Sequence, residues 1–445
     1  MSNNTKGIKM IYVFTHKITS RVRFAFNLIF RDLMQIEYEI ITKRKEFEEK
    51  DGVKISYTLN PIGNSFFVRS KPLLFEQGIN DQDINMIPFH RTKAFFCVGG
   101  NSMFPFDVFA ASFYLASRYE EYLPHKKDHF NRFDADQSLA FKEDFLHQPV
   151  INIWVNKLVT SLKELYPDFK IPERNYKFIT TIDVDNAYAY KEKGFVRTIM
   201  GYSKSLFTLD FKDFKDRTKT LLGLQKDPYD TFDYQEKLVK EKKLTFIYFF
   251  LLGDYGVNDK NIPVANTNFQ ALIKSISDHS KIGIHPSFAS NTSFNKLEKE
   301  VGRLSKIINR EIWRSRQHFL KVNLPETYRN LIELDITDDF TMGYASSYGF
   351  RAGICTPFYF YDLDLEIETN LKVHPFAIME GTLKYYMGIG PDHAMAHYRR
   401  LIDEVKMVNG NFISLWHNDS LNNYKQWKGW RSVFEEMIEY GMEEG

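Results

Sequence analysis

The sequence predicts an α/β protein with two domains, a smaller mixed α/β domain over residues 1–170 and a (β/α) barrel over residues 175–445. Strand and helix patterns alternate over about 270 residues of the carboxyl-terminal part, which favours a parallel sheet and, at this number of repeats, a barrel over an open sheet. A length of 445 residues is also more than one ordinary core supports. The segment Pro167–Asn175 contains two prolines and four charged residues, which is typical of a linker between the two parts.

The amino-terminal part has a mixed pattern. Periodic apolar residues predict helices over Ser20–Met34, Phe106–Tyr122 and Val150–Leu165, and strand-like runs cover Ile8–Phe14, Ile36–Thr42 and Val53–Leu59. This part contains no nucleophile with a base, no metal-ligand spacing and no phosphate loop. Three of its histidines lie singly among charged residues, which is more typical of exposed or capping side chains than of ligands (His125, His129, His147). The role of this domain therefore stays open.

The carboxyl-terminal part begins with a strand that ends near Asp185, and a basic helical region follows to about Leu224. Further strands are predicted over Leu244–Leu251, Lys281–His285, Ile312–Arg316, Tyr348–Cys355 and Phe412–Trp416. Helices are predicted over Phe232–Lys242, Asn268–His279, Asn295–Asn309, Pro325–Leu334, Gly381–Met387 and His393–Val408.

Composition excludes several classes of protein. The 59 basic and 57 acidic residues leave a net charge of +2, which gives no support for binding nucleic acid. Cys97 and Cys355 are far apart in sequence, which suits a reduced compartment better than a disulfide scaffold. No signal core and no apolar run of about 18 residues occurs, so we expect a cytoplasmic protein without a membrane span. The pattern does not indicate an oligomeric state.

Asp183 and Asp185 lie at the carboxyl end of the first barrel strand, where ligands and catalytic groups collect in parallel sheets and barrels. Residues two apart on a strand share one face, so the two carboxylates repel each other. A cation beside them would remove this conflict. A strand-end turn with Asx hydrogen bonds is the alternative interpretation of this stretch alone.

Three later strands also end in polar side chains that could join these carboxylates. His285 ends one strand, and an imidazole with carboxylates is what a divalent transition metal such as zinc accepts. Arg316 could pair with Asp183 or Asp185 and keep it ionised. His318 is either a second ligand or a hydrogen-bonded rim histidine, and His417, after Trp416, could pass a proton to a leaving group.

The segment from Glu333 to Gly353 is rich in acids, small residues and aromatics. Asp339 and Arg351 are candidates for supporting ion pairs, and Gly349 and Gly353 suggest a close backbone approach around a ligand. Aromatic side chains could line a sugar-binding cleft, although an aromatic content of 16% makes a place in the core the alternative for each (Tyr344, Phe350, Trp416).

In order along the chain, Asp183-Val184-Asp185, Gly283-Ile284-His285-Pro286-Ser287, Arg316-Gln317-His318-Phe319 and Leu415-Trp416-His417 resemble the motifs of the polysaccharide deacetylases, carbohydrate esterase family 4. The resemblance covers about residues 176–424. Residues 106–154 are similar to an extra amino-terminal α/β domain in deacetylase-like proteins of Bacteroidetes-type bacteria. The resemblance implies a distorted seven-stranded (β/α) barrel and metal-dependent removal of an N-acetyl or related acyl group from a carbohydrate.

The resemblance also implies roles for single residues. Asp183 would be the catalytic base, Asp185 and His285 metal ligands, Arg316 the residue that orients the base, and His417 the acid. The implied cofactor is a divalent metal, with zinc favoured by the donor set. Substrate contacts are expected from the aromatic and basic residues near these motifs (Tyr344, Phe350, Arg351, Trp416).

Two positions depart from the family pattern. The paired aspartates of the family are usually adjacent, whereas Val184 lies between them here, and the position four residues after His285, usually a second metal-binding histidine, is Ala289. We predict that His318, which stands where the family usually has proline, replaces that ligand.

Two other functions stay open at this stage. Loss of the metal would leave a sugar-binding or scaffold protein, and retention of the metal with another chemistry would give a hydrolase of a different bond, such as a phosphoester. The lack of an export signal favours a small or lipid-linked glycan precursor as the substrate.

Overall fold

The computed structural model describes residues 10–443. Ile8 and Lys9, the start of the first predicted strand, lie outside the described residues. Among residues 10–443, no helix has the length and apolar character needed to cross a membrane.

The amino-terminal part contains a four-stranded parallel sheet with the order β2-β1-β3-β4 and a separate hairpin of β5 and β6. Its strands are β1 (Met10–Thr15), β2 (Glu37–Ile41), β3 (Val53–Thr58), β4 (Phe66–Arg69), β5 (Ile87–Phe89) and β6 (Thr92–Ala94). Its helices are α1 (Ser20–Phe26), α2 (Arg44–Glu49), α3 (Val108–Ala116), α4 (Tyr119–Tyr122), α5 (Leu139–Lys142) and α6 (Val150–Leu165). The helix predicted over residues 106–122 is interrupted at Arg118, whose φ of 56° is left-handed.

The carboxyl-terminal part is built on a nine-stranded sheet with the order β12-β13-β11-β10-β9-β8-β7-β15-β14, in which only β12 runs antiparallel to its neighbour. Its strands are β7 (Lys177–Val184), β8 (Phe246–Leu251), β9 (Lys281–His285), β10 (Arg314–Ser315), β11 (Asp338–Asp339), β12 (Phe358–Asp362), β13 (Ile367–Val373), β14 (Ile378–Met379) and β15 (Asn411–His417). Its helices are α7 (Phe195–Phe207), α8 (Phe211–Leu221), α9 (Phe232–Lys242), α10 (Thr267–His279), α11 (Phe294–Ile308), α12 (Glu326–Glu333), α13 (Pro391–Lys406) and α14 (Trp430–Met442).

The central strands β7, β8 and β15 are apolar because both faces of a parallel sheet are covered. All six residues of β8 are buried. The register places His417 opposite Asp183 and Leu251 opposite His285, so these strands end at the same edge of the sheet. The polar residues after the apolar runs are thereby brought together.

The strand predicted over residues 348–355 is wrong, because this segment forms turns and bends. Its two glycines have positive φ values, 126° at Gly349 and 66° at Gly353, which do not fit a strand. A Cβ at Gly349 would lie 2.4 Å from the backbone oxygen of Leu146. The glycine permits close approach to the amino-terminal part of the chain, and not to a ligand as the sequence suggested.

The two parts of the chain share one continuous hydrophobic core. A buried ion-pair cluster joins them. Arg351 donates two hydrogen bonds to Glu121, at 2.8 and 2.6 Å, and Arg118 donates to the same carboxylate at 2.7 Å. Arg21 of α1 pairs with Glu366, which precedes β13.

Candidate active site

A cavity of about 210 Å³ opens at the carboxyl edge of the large sheet. Asp183, Asp185, His285, His318 and His417 all line it. Larger cavities occur near α8, about 390 Å³, and among the amino ends of the strands, about 1000 Å³. The cavity of about 210 Å³ is the best candidate for an active site, because it is the one of these three that is lined by the carboxylates and imidazoles at the carboxyl ends of the strands.

Three of these side chains form a group that could hold a metal ion. One ligand atom from each of Asp185, His285 and His318 lies within 4.8 Å of the others. His285 Nε2 is 3.2 Å from Asp185 Oδ1, and His318 Nε2 is 3.4 Å from Asp185 Oδ2. Two imidazoles and one carboxylate form a common donor set for a divalent transition metal.

The hydrogen bonds around this group fit a metal. His285 Nδ1 lies 2.5 Å from the Arg316 backbone oxygen, and His318 Nδ1 lies 2.9 Å from Asp259 Oδ1. Each Nδ1 can therefore donate outward, which leaves the Nε2 lone pair directed at the centre. Asp185 Oδ1 is buried and accepts no well-formed hydrogen bond from the described residues. An unpartnered carboxylate oxygen between two imidazoles is what a bound cation would satisfy.

Asp259 positions the imidazole of His318 beside Asp185. The Asp259 carboxylate accepts hydrogen bonds from Phe288 N at 2.8 Å and Ala289 N at 3.2 Å. It is thereby fixed to the backbone of the loop after β9, and it holds the imidazole of His318 by its Nδ1. The structure brings His318 to Asp185 through this contact.

Asp183 lies beside this group and is bound to Arg316. Arg316 Nη1 lies 3.1 Å from Asp183 Oδ1 and 2.6 Å from Thr181 Oγ1, and Arg316 Nε donates to the Phe340 backbone oxygen at 3.0 Å. Both members of the ion pair are buried. The other carboxylate oxygen of Asp183 lies 3.7 Å from His285 Nε2 and faces the cavity.

His417 also lies near Asp185 and pairs with the carboxylate of Glu380. Its Nδ1 lies 2.8 Å from Glu380 Oε1, which also accepts a hydrogen bond from His417 N at 2.9 Å. Its Nε2 is 3.9 Å from Asp185 Oδ2. Burial opposes the charged imidazolium, but Glu380, with Asp185 and Asp183, raises the pKa of His417 well above its ordinary value.

The same electrostatics act on the proposed ligands. Burial would raise the pKa of Asp185, but His318, His285 and His417 hold that pKa well below its usual range. Burial also disfavours protonated His318, yet Asp185 and Asp259 raise its pKa to about 9. The pocket thus stabilises positive charge strongly, and a metal cation would take the place of the proton on His318.

The four residues expected to contact substrate do not line this cavity. Phe350 and Trp416 are buried in the core, and Trp416 stacks on Tyr398. Tyr344 accepts a hydrogen bond from Arg118, and Arg351 pairs with Glu121 and not with Asp339. The aromatic lining is provided instead by Phe319, Tyr385 and Tyr386.

Three further residues of the site were missed from sequence. Glu380 follows the apolar run Ala377–Met379 and precedes a glycine. A polar residue at the end of an apolar run is the pattern that identified His285, and it could have identified Glu380 as well. Asp259 lies in the loop between β8 and α10, where no periodicity marks it. Arg132 comes from the amino-terminal part, lines the cavity and donates to the Phe319 backbone oxygen at 2.7 Å and the Tyr386 hydroxyl at 3.1 Å.

Comparisons with known proteins give two kinds of similarity. Residues 11–167 match the model of a family of unknown function, DUF7033. No curated protein matches the chain.

Several solved structures resemble part of the chain. A candidate polysaccharide deacetylase from Mycobacterium smegmatis is 12% identical, with 60% of this chain and 85% of that chain covered and a TM-score of 0.39. A polysaccharide deacetylase from Bacillus cereus is 13% identical, with 60% and 89% covered and a TM-score of 0.27. A pseudoenzyme of carbohydrate esterase family 4 from Bacillus anthracis is 12% identical, with 60% and 63% covered and a TM-score of 0.29.

Proposed function

We propose that this protein is a metal-dependent hydrolase that removes an N-acetyl or related acyl group from a carbohydrate. The observation that carries the proposal is the convergence of Asp185, His285 and His318 between a buried aspartate–arginine pair and a histidine–glutamate pair. A cation site flanked by a base on one side and an acid on the other is the arrangement that hydrolysis of an acyl bond needs.

Asp185, His285 and His318 would hold the metal, which supplies Lewis-acid polarisation of the acyl carbonyl. Zinc suits two imidazoles and one carboxylate, and His318 would compensate for Ala289 at the position where the family usually has its second histidine. Asp259 and the Arg316 backbone oxygen fix the two imidazoles and so set which nitrogen faces the centre.

Asp183 would act as the general base. Arg316 fixes one of the carboxylate oxygens, so the other can take the proton of the attacking water. Water adds to the acyl carbon, the carbon–nitrogen bond then breaks, and the departing amine needs a proton.

His417 would provide that proton from Nε2. Glu380 holds Nδ1 and keeps the ring protonated, so Nε2 carries a hydrogen towards the cavity. The products are a carboxylate and a free amino sugar. The side chains of Phe319, Tyr385 and Tyr386 are placed to contact a sugar ring at the cavity mouth.

The proposal includes a distorted seven-stranded barrel. The segment Ile367–Met379 pairs with β11 at Lys372 and Val373, and it pairs with β15 at its end, where Ala377 N donates to the Ile413 backbone oxygen at 2.8 Å. This segment, which contains β13 and β14, thus connects the two ends of the parallel ladder. If this segment is counted as one strand, the proposed barrel has seven strands, the other six being β7, β8, β9, β10, β11 and β15.

We also propose the division into an amino-terminal domain over residues 1–170 and a catalytic domain from residue 175. The separate four-stranded sheet and the family match over residues 11–167 support this division. In this proposal the first domain contributes one wall of the cavity through Arg132.

Acetate release from a panel of N-acetylated and O-acetylated sugars tests the proposed function. The purified full chain with added zinc should release acetate from an N-acetylated member, and Asp183→Asn should bind the metal but lose activity by at least about a hundredfold. Full activity in Asp183→Asn would contradict the mechanism. A protein that binds sugars but releases acetate from none would instead be the binding module.

A further inference from the structure

The segment between β7 and α9 exposes many of its apolar side chains. On α7 the apolar residues recur on one helical face, and that face is directed to solvent (Phe195, Val196, Ile199, Met200, Leu206, Phe207). Phe207 is 90% exposed and Phe195 is 80% exposed. Further exposed apolar side chains continue through Leu209 and Phe211 into α8. Apolar patches of this extent on a protein surface mark interaction sites.

Polar contacts hold the helices in this orientation. Asp213 of α8 accepts hydrogen bonds from Ser205 at 2.7 Å and from Arg217 at 3.0 Å. The same carboxylate accepts from Tyr190 at 2.8 Å and from Lys425 at 2.9 Å. The contacts from Tyr190 and Lys425 join α8 to residues outside the hairpin, and turning the apolar face of the hairpin inward would break them. The exposed face is therefore a fixed feature of the fold.

The hairpin of α7 and α8 is also basic. The segment from Lys191 to Lys226 contains nine lysines and arginines against four acids, in a chain whose net charge is only +2. On α8, Lys212, Lys215 and Lys219 are exposed at helical spacing, on the same side as Phe211. An apolar face bordered by lysines is complementary to a surface with apolar depth and negative charge.

We propose that the hairpin of α7 and α8 docks this protein on an anionic phospholipid bilayer. The aromatic and aliphatic side chains would enter the boundary between head groups and acyl chains, and the lysines would contact lipid phosphates. Tyr255, exposed beside the hairpin with Arg197 4.4 Å above its ring, extends this surface. The hairpin follows the end of β7, so docking would bring the cavity edge close to the bilayer. The proposal does not depend on the hydrolysis reaction.

Co-sedimentation with vesicles tests the docking. The full chain should sediment with vesicles of phosphatidylcholine and phosphatidylglycerol, more weakly with phosphatidylcholine alone, and more weakly at high salt because screening reduces the charge contribution. Replacement of Phe195, Phe207 and Phe211 by serine should weaken binding at least about tenfold. These side chains are exposed, so the variant should keep its unfolding temperature.

A control variant replaces exposed apolar residues elsewhere, Leu59 and Leu365, by serine. It should bind vesicles as the unmodified chain does. Equal binding by the hairpin variant, or no binding of the unmodified chain to either vesicle, would overturn the proposal. A dimer in sedimentation velocity that the phenylalanine replacements dissociate, without vesicle binding, would assign the surface to a second copy and also overturn it.

Discussion

The orientation of His318 depends on one carboxylate. Asp259 accepts from two backbone amides and lies against His318 Nδ1, so its position and charge fix both the ring and its tautomer. In the proposed metal site, this contact would place His318 as the third ligand. Ala289 is small enough to leave this space free, and its amide takes part in holding Asp259.

Asp259→Asn should weaken metal affinity by about tenfold to a hundredfold, because an amide cannot orient the imidazole as the carboxylate does. Competition with a zinc chelator measures the change. Asp254→Asn, in the same loop but paired with Lys299 at the surface, should bind metal normally. Unchanged affinity in Asp259→Asn would show that His318 does not depend on Asp259.

Glu380 should set the alkaline limit of activity. Since Glu380 raises the pKa of His417, the acid stays protonated to high pH, and activity is lost as the pH rises through that pKa. Glu380→Gln removes the negative charge, so the alkaline limb of kcat should move down by about one pH unit or more. Metal content should not change. A pH profile identical to that of the unmodified enzyme would exclude His417 as the acid.

At the scale of elements, strand ends were predictable and the connections between them were not. The apolar run before Asp183 and the run before His417 mark buried parallel strands, so their last residues had to share an edge. The helix over residues 150–165 matches α6 because its apolar stripe is regular. The strands β12 and β13 were missed because β13 has three consecutive polar residues, Glu368–Asn370, which interrupt the alternation typical of a strand, and its pairing with β12 contains a register shift.

The turn at residues 348–355 shows what sequence patterns leave out. Its aromatic and apolar residues resemble a strand, but Phe350 N donates to the Leu146 backbone oxygen at 2.8 Å, far away in sequence. Long-range pairing of this kind determines the backbone there and leaves no local pattern. Arg132 and Asp259 were missed for the same reason, because the contacts that place them in the site are with residues distant in the chain.

Gly349→Ala should destabilise the fold. A Cβ would meet the backbone of Leu146, and φ at this position is 126°, so we expect the free energy of unfolding to fall by about 1–3 kcal/mol. Chemical denaturation measures this. Gly302 lies in α11 with open space around it, so Gly302→Ala should raise the free energy of unfolding by roughly 0.5–1 kcal/mol. Equal stability of both variants would contradict the close approach.

At the scale of the whole molecule, the buried cluster of Glu121, Arg118 and Arg351 joins the two parts. Burial would raise the pKa of Glu121, but Arg351 and then Arg118 lower it to about 2. The contribution to stability is therefore complete above the ordinary value of 4.5 and is lost as the pH falls towards 2. The difference between the ordinary and the lowered pKa of Glu121 corresponds to roughly 3 kcal/mol of stability.

Glu121→Gln should lower the free energy of unfolding by about 3–5 kcal/mol at neutral pH, because two buried guanidinium groups lose their carboxylate partner. Its stability should also depend less on pH between about 4.5 and 2. Thermal unfolding across that range measures both effects. Glu236→Gln removes an exposed pair with Lys240 and should change stability by less than about 1 kcal/mol. Similar losses in the two variants would show that the cluster does not hold the molecule together.

The most direct test of the proposed metal centre is the metal content of the purified full chain. After incubation with zinc and removal of the excess, elemental analysis should find one metal ion per chain, none in His318→Ala, and one in Asp183→Asn, because Asp183 lies outside the ligand set. Absence of metal from the unmodified chain, or equal metal in His318→Ala, would contradict the proposal that His318 completes a metal site with Asp185 and His285.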